Sequence, residues 1–346
     1  MNTLETKPVN VNKFLFFTDI HFDLGLSRSK YISDNVTKWL NDQFKVVRQI
    51  FEYASVNNIN YIFFGGDFFE QKNHLDVRLF NTVWLFIRGM TKRHSDVRLV
   101  LNAGNHDIAS GTRELTITPF MDLCQVVEEP TDYDFDSMLV RVVPFGMVTK
   151  EVLYGGFDSK YKTKVLMTHE KIEGLELSSG IKLESKLTPN MFDNFDFVLN
   201  GDIHKPQNLG NIINVGSSII LDWSEAGEEK RFMCVDAETK SVTSIPIKCP
   251  KWYNVEYDSV NEEAKKHIEG DYSNYYRISA KPGTDDKVFD LDNVSTKYVS
   301  DEKKESRLKE NGSLSEDIEQ YVGIVGEDNI DSLIKRGKEL AYDIDN

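Results

Sequence analysis

The chain has 346 residues, 40% hydrophobic and 28% charged, with a net charge of −15 at pH 7, a globular composition long enough to bury a large core and carry a smaller appendage. It holds no run near the ~18 apolar residues that a membrane-spanning helix needs, the opening MNTLETKPVNVNK is too polar for a secretion signal, and three scattered cysteines without a CxxC pair argue against a disulfide framework or a zinc–thiolate site and fit a reducing, cytoplasmic setting. The acidic balance alone also speaks against a protein that grips nucleic acid by its phosphates, which is usually basic.

The first half alternates strand and helix. KFLFFTDIHF (13–22) reads as a short buried strand running into polar residues. Residues 35–57 place Val36, Leu40, Phe44, Val47, Phe51 and Ala54 at helical spacing. INYIFFGGD (59–67) is a second strand, and residues 76–93, with Val77, Phe80, Val83, Trp84 and Ile87, a second amphipathic helix. VRLVLNAGNHD (97–107) is a third strand, so the pattern predicts βαβ units and a mainly parallel, buried sheet. After residue 120 strands follow one another: 137–145, 164–170, 195–204, 211–218 and 230–236. Such a chain can pack a second sheet on the first. The two prolines of SIPIKCPKW (244–252) mark a boundary, and NYYRISAKP (274–282) is one more strand. The charged stretch beyond it reads as linker, and the last residues supply one or two short helices.

The strand ends carry the chemistry. In order, the apolar runs close on Asp19-Ile20-His21, Gly66-Asp67, Gly104-Asn105-His106-Asp107, Thr168-His169-Glu170 and Gly201-Asp202-Ile203-His204. Any one of these is weak, because Asp-x-His recurs by chance and Gly-Asp after a strand is commonly just a turn. Five in sequence, holding four of the seven histidines, are not, since ligands of α/β sheets bind outside the carboxyl ends of strands. Asp202 and His204 are two positions apart, so on an extended chain their side chains would point the same way. Oxygen and imidazole donors without thiolate suit manganese, magnesium, iron or zinc, and the carboxylate-rich mix leans to manganese.

The ordered set D-x-H, G-D, G-N-H-D, H and G-x-x-H resembles the calcineurin-like metallophosphoesterase superfamily. FGGDFFEQKN, GDIHKPQ and NVGSSIILDWSEAGEEKRFMCVD further resemble the SbcD-like nuclease subunits of double-strand-break repair complexes, viral versions included, over about residues 13–237. The resemblance implies an α/β fold: a metallophosphoesterase β-sandwich flanked by helices over residues 1–250, a small α+β cap over 251–285, a linker over 286–313 and a helical partner-binding tail over 314–346. It implies two divalent ions, Mn2+ first and Mg2+ second, one held by Asp19, His21, Asp67 and His204 and the other by Asp67, Asn105, His169 and Asp202, with Asp67 shared. His106 would stabilise or protonate the leaving oxygen. The family usually writes the last motif with histidine in both places; Asp202 departs from it, though aspartate is a sound ligand for a hard dication.

The implied activity is exonuclease, and also endonuclease, cleavage of DNA. An acidic nuclease calls for a partner, and the resemblance supplies an SbcC-like coiled-coil ATPase docking on the C-terminal tail, a homodimer, and a cytoplasmic setting, that of the host if the chain is viral. Two other readings stand beside it: a metallophosphoesterase acting on a substrate other than DNA, and a scaffold whose catalysis is impaired at Asp202.

Overall fold

A computed structural model describes residues 12–298 apart from 27–28, 136–137, 156, 258–259, 261 and 282–292. Two six-stranded sheets lie face to face. The first runs, edge to edge, Ser241–Pro246, Arg231–Asp236, Lys13–Phe17, Tyr61–Phe64, Arg98–Asn102 and Gln125–Val127; the last four strands are parallel and the first two antiparallel. The second runs Gln207–Leu209, Ile212–Asn214, Phe197–Asn200, Thr163–Thr168, Met138–Val142 and Thr131–Phe135, with a parallel centre and antiparallel edges. The mixed α/β sandwich is the architecture expected from the sequence.

Strand Lys13–Phe17 shows why the apolar runs are continuous rather than alternating. Phe14 and Phe16 enter the core between the sheets with Phe63, Val100, Val140, Val165 and Leu199. Leu15 and Phe17 face the other way, into a core shared with the two long helices. A strand covered on both faces needs apolar residues at every position. Helix Lys38–Val56 starts at Thr37, whose hydroxyl accepts from the Leu40 amide. Helix Val77–Arg93 starts at Asp76, which accepts from the Arg78 and Leu79 amides, and buries Leu79, Val83, Ile87 and Met90. Of the face that periodicity suggests, Val83 and Ile87 are buried and Phe80 and Trp84 pack against the same core, while Val77, at the first position, is 71% exposed.

Edge strands escaped the sequence reading. Thr131–Phe135 (TDYDF) alternates acid and aromatic with one side in water, and Pro246 ends the edge strand Ser241–Pro246, where a missing amide costs no ladder bond. Past residue 250 a three-stranded sheet forms from Trp252–Glu256, Tyr275–Ala280 and Val294–Tyr298, with helix Glu262–Gly270 between the first two. The third strand corrects the sequence boundary, since it falls within the segment read as linker; its VSTKY is β-prone but stands among charged neighbours that mask it. The tail over 314–346 lies outside the described residues.

Every parallel strand that leads into a candidate ligand does so at its carboxyl end, and the loops are tied together there. Gly201 N donates to Thr168 O (3.1 Å) and Asp19 N to Gly66 O (3.0 Å). Asn200, wholly buried, ties the two loops of the second sheet: its amide donates to Glu170 O, Gly201 O and Asn214 Oδ1, and its Oδ1 accepts from Glu170 N. Truncating it strands buried backbone groups, so Asn200→Ala should lose about 2–4 kcal/mol of stability, read as a lower urea midpoint at unchanged slope in EDTA.

Candidate metal centre

The chain turns sharply where the ligands sit. Among the described residues six non-glycine residues have positive φ, and four are Asp19 (52°), His21 (48°), Asp67 (60°) and Asp202 (73°). Left-handed backbone costs on the order of 1 kcal/mol per residue and collects where the surrounding structure enforces it. Asp and His are among the side chains that tolerate it best. The extended-chain expectation for Asp202 and His204 is therefore corrected. Asp202 leaves the strand left-handed and turns toward His169, with Oδ1 3.9 Å from Nε2, while His204 Nε2 turns to Asp19, 3.9 Å from Oδ1.

Asp67 lies between two imidazoles. Its Oδ2 is 3.3 Å from His21 Nε2 and its Oδ1 3.3 Å from His169 Nε2. Around His21 gather Asp19 Oδ1 (3.8 Å) and, beyond it, His204. Around His169 gather Asn105 Oδ1 (3.2 Å), Asp202 Oδ1 (3.9 Å) and again Asp19 Oδ1 (4.0 Å). The fold thus brings all seven candidate ligands to one place, with Asp19 reaching both the His21 and the His169 side. His106 stands beside them: its ring centroid is 4.9 Å from that of His21, and its backbone N donates to Asp67 Oδ1 (2.8 Å).

Close approach is what the glycines permit. A Cβ on Gly104 would strike the Asp67 carboxylate and backbone and come within 2.8 Å of His169 Nε2, and one on Gly66, at φ +121°, would meet His169 Nδ1 at 2.5 Å. Asp107 holds the arrangement from behind. Its buried carboxylate accepts from Asp67 N (2.8 Å), Phe68 N (3.0 Å) and Gly104 N (2.9 Å). Burial and the Asp67 charge push its pKa up to about 7.

The donors fit divalent cations. Asp19 Oδ1, Asp202 Oδ2 and His21 Nε2 are buried without a hydrogen-bond partner, an arrangement that leaves polar groups uncompensated unless an ion binds. Most separations of 3.3–4.0 Å are too long for hydrogen bonds. They are of the order expected for donors sharing an ion bound at about 2.0–2.2 Å. Burial alone would lower the His169 pKa, but the Asp67 and Asp19 carboxylates outweigh it and hold it up to about 10. His21 is likewise raised well above its ordinary value, burial being overcome by Asp19, Asp67 and Glu70. Burial raises Asp202. Protons therefore neutralise the cluster when no cation does.

Three contributors were not singled out from the sequence. Glu70 Oε2 is 2.7 Å from His21 Nδ1, and Glu225 Oε1 accepts from His204 Nδ1 at 2.8 Å. Asp107 closes the G-N-H-D motif. All three lie inside quoted motifs; what no local spacing signals is the pairing of Glu225 with a histidine 21 residues before it.

The model of the calcineurin-like phosphoesterases matches residues 12–206, more than half of the chain, and the chain belongs to that family. Its relatives include the 078R protein of Invertebrate iridescent virus 3, named as a phosphoesterase, 24% identical over 253 residues, which span 69% of this chain and 71% of that one. Among solved structures it is similar to the phosphoesterase Yfce of E. coli (12% identity, TM-score 0.33, covering 68% of this chain and 100% of that one). It is also similar to the nuclease MPE of Pseudomonas putida (14% identity, TM-score 0.30, covering 68% and 93%). No described helix is long and apolar enough to cross a membrane.

Two outcomes follow from this geometry. Gly104→Ala should weaken Mn2+ binding by at least roughly tenfold in a calorimetric titration, whereas Gly89→Ala, whose added Cβ meets nothing within 4 Å, should leave it unchanged. The raised His169 pKa sets the pH dependence. Protonated His169 stabilises the metal-free fold fully below pH 6.5, and that contribution is lost as pH rises through about 10. A bound ion needs the ring neutral, so metal affinity should rise across the same window. Titrations in buffers of different ionisation enthalpy should show protons released on binding.

Proposed function

We propose that the protein hydrolyses phosphodiester bonds in DNA as the nuclease subunit of an SbcCD-like recombination and repair complex, with a coiled-coil ATPase as its partner. The single observation that carries the hydrolysis is Asp67, whose two oxygens face two separate groups of ligands at equal 3.3 Å distances. Two divalent ions bound there would supply the positive charge that phosphoryl oxygens and an attacking water require. For DNA as substrate the support is the motif resemblance of GDIHKPQ and NVGSSIILDWSEAGEEK. The net charge of −15 supports a basic partner that supplies the DNA track, since the nuclease itself lacks a surplus of cations.

The chain's own residues divide the work. Asp19, His21 and His169 are buried, while His204 and Glu70 are 31% and 41% exposed and His106 is half-buried, so substrate approaches from the side of those three. Lys171 lies close enough to influence the Asp202 charge, and Lys205 follows His204 and pairs with Glu176. His106 Nδ1 is 2.6 Å from the Glu70 carbonyl. A carbonyl only accepts, so Nδ1 carries the hydrogen and Nε2 is left for the substrate. When the ring is charged, Nε2 gives its proton to the departing oxygen as the P–O bond breaks, and water provides the oxygen of the new one.

Release of nucleotides from an end-labelled DNA duplex in Mn2+, abolished by EDTA and by Asp67→Asn, is the expected result. Hydrolysis of bis-p-nitrophenyl phosphate with none of DNA would assign another substrate. Silence on both would make the chain a scaffold. His106→Asn should slow DNA cleavage by about 10²–10⁴ but slow bis-p-nitrophenyl phosphate hydrolysis less than about tenfold, because that leaving group departs without a proton.

A further inference from the structure

His21 and His204 are held in matching ways from outside the ligand cluster. Each directs Nε2 at the same atom, Asp19 Oδ1, at 3.8 and 3.9 Å, and each has a glutamate at its other nitrogen. Glu225 receives the His204 Nδ1–H at 2.8 Å. It is itself fixed on three further sides, its Oε2 accepting from Ser217 Oγ (3.0 Å), Leu221 N (3.1 Å) and the Lys230 ammonium (2.7 Å). Lys230 is fully buried and also pairs with Glu228, so Glu225 stays anionic with its charge compensated. Glu70 Oε2 lies 2.7 Å from His21 Nδ1, off the in-line direction of a hydrogen bond, on a half-exposed side chain. His169 has no such support; its Nδ1 lies 3.1 Å from a neutral carbonyl, that of Gly65.

We propose that Glu70 and Glu225 are positioning residues that hold His21 and His204 with Nδ1 protonated and Nε2 free, and so set the cation affinity of the half-site around Asp19 without serving the half-site around His169. The physical basis is that a carboxylate can only accept, which fixes the tautomer, and that its charge makes the opposite nitrogen a stronger donor to a metal. The two halves of one centre are then tuned separately. Around Asp19, two imidazoles borrow negative charge from glutamates behind them; around His169, whose Nδ1 faces a neutral carbonyl, negative charge comes directly from Asp67, Asp19 and Asp202.

The inference rests on the metal reading of the site, and a binding measurement separates the two. Mn2+ is titrated into metal-free wild type, Glu70→Gln, Glu70→Ala, Glu225→Gln and Glu225→Ala. Free ion is counted by its electron paramagnetic resonance signal, and thermal unfolding is recorded in EDTA. In each variant one of two binding steps should weaken by roughly 10–100-fold, with alanine worse than glutamine in that same step, and the other step should stay within a few fold. Glu70, near the surface, gives variants that fold as wild type and decides the matter if the Glu225 variants unfold. Equal weakening of both steps, or of neither, in a folded variant overturns the positioning role. Wild type that binds no Mn2+ overturns the metal reading and the proposal with it.

Discussion

The carboxylate of Asp67, almost wholly buried and set between two imidazoles, is the constraint around which the rest is arranged. A charge removed from water must be met by opposite charge or by donors. Here the donors come from behind, through the His106 amide, and the backbone of Asp67 is pinned by Asp107. The two imidazoles lie in front, on loops from different sheets. Their convergence requires the loops at the ends of Lys13–Phe17, Tyr61–Phe64, Arg98–Asn102, Thr163–Thr168 and Phe197–Asn200 to approach within a few ångströms. Gly66, Gly104 and Gly201 make that approach sterically possible, and left-handed turns at four ligands complete it. The sandwich is thus a device for bringing five strand ends to one point.

Much of this was legible in the sequence, and for identifiable reasons. Strands such as KFLFF and VLMT declare themselves because both faces are buried, and each runs into a short polar motif that names its own ligand. What stayed hidden depends on distance along the chain. Glu225 meets His204 only because Arg231–Asp236 crosses back beside Lys13–Phe17 and carries Lys230 with it. No local spacing encodes that pairing. The orientation of Asp202 was hidden for a different reason: alternation along a strand predicts side-chain direction only while the strand lasts, and Asp202 stands just beyond it. Edge strands with acids at alternate positions, and a β-strand among lysines and glutamates past residue 293, were obscured because half their residues face water.

Electrostatically the centre is balanced from outside as much as from within. Lys230 offsets Glu225, and burial raises Asp202 and Asp107 while the imidazoles hold Asp19 and Asp67 down. An acidic chain keeps an anionic pocket of this kind only by filling it with protons or cations, so proton and metal occupancy are one linked equilibrium.

The short turn Trp223–Glu225 has two unlike ends. At one, the Trp223 ring lies 4.4 Å from that of Trp252, which together with Tyr275 belongs to the small sheet, and Arg277 of the same sheet stacks over it at 4.5 Å. At the other, Glu225 grips His204. One three-residue turn is thus anchored in the aromatic packing of the small sheet at one end and on the orientation of a candidate ligand, His204, at the other.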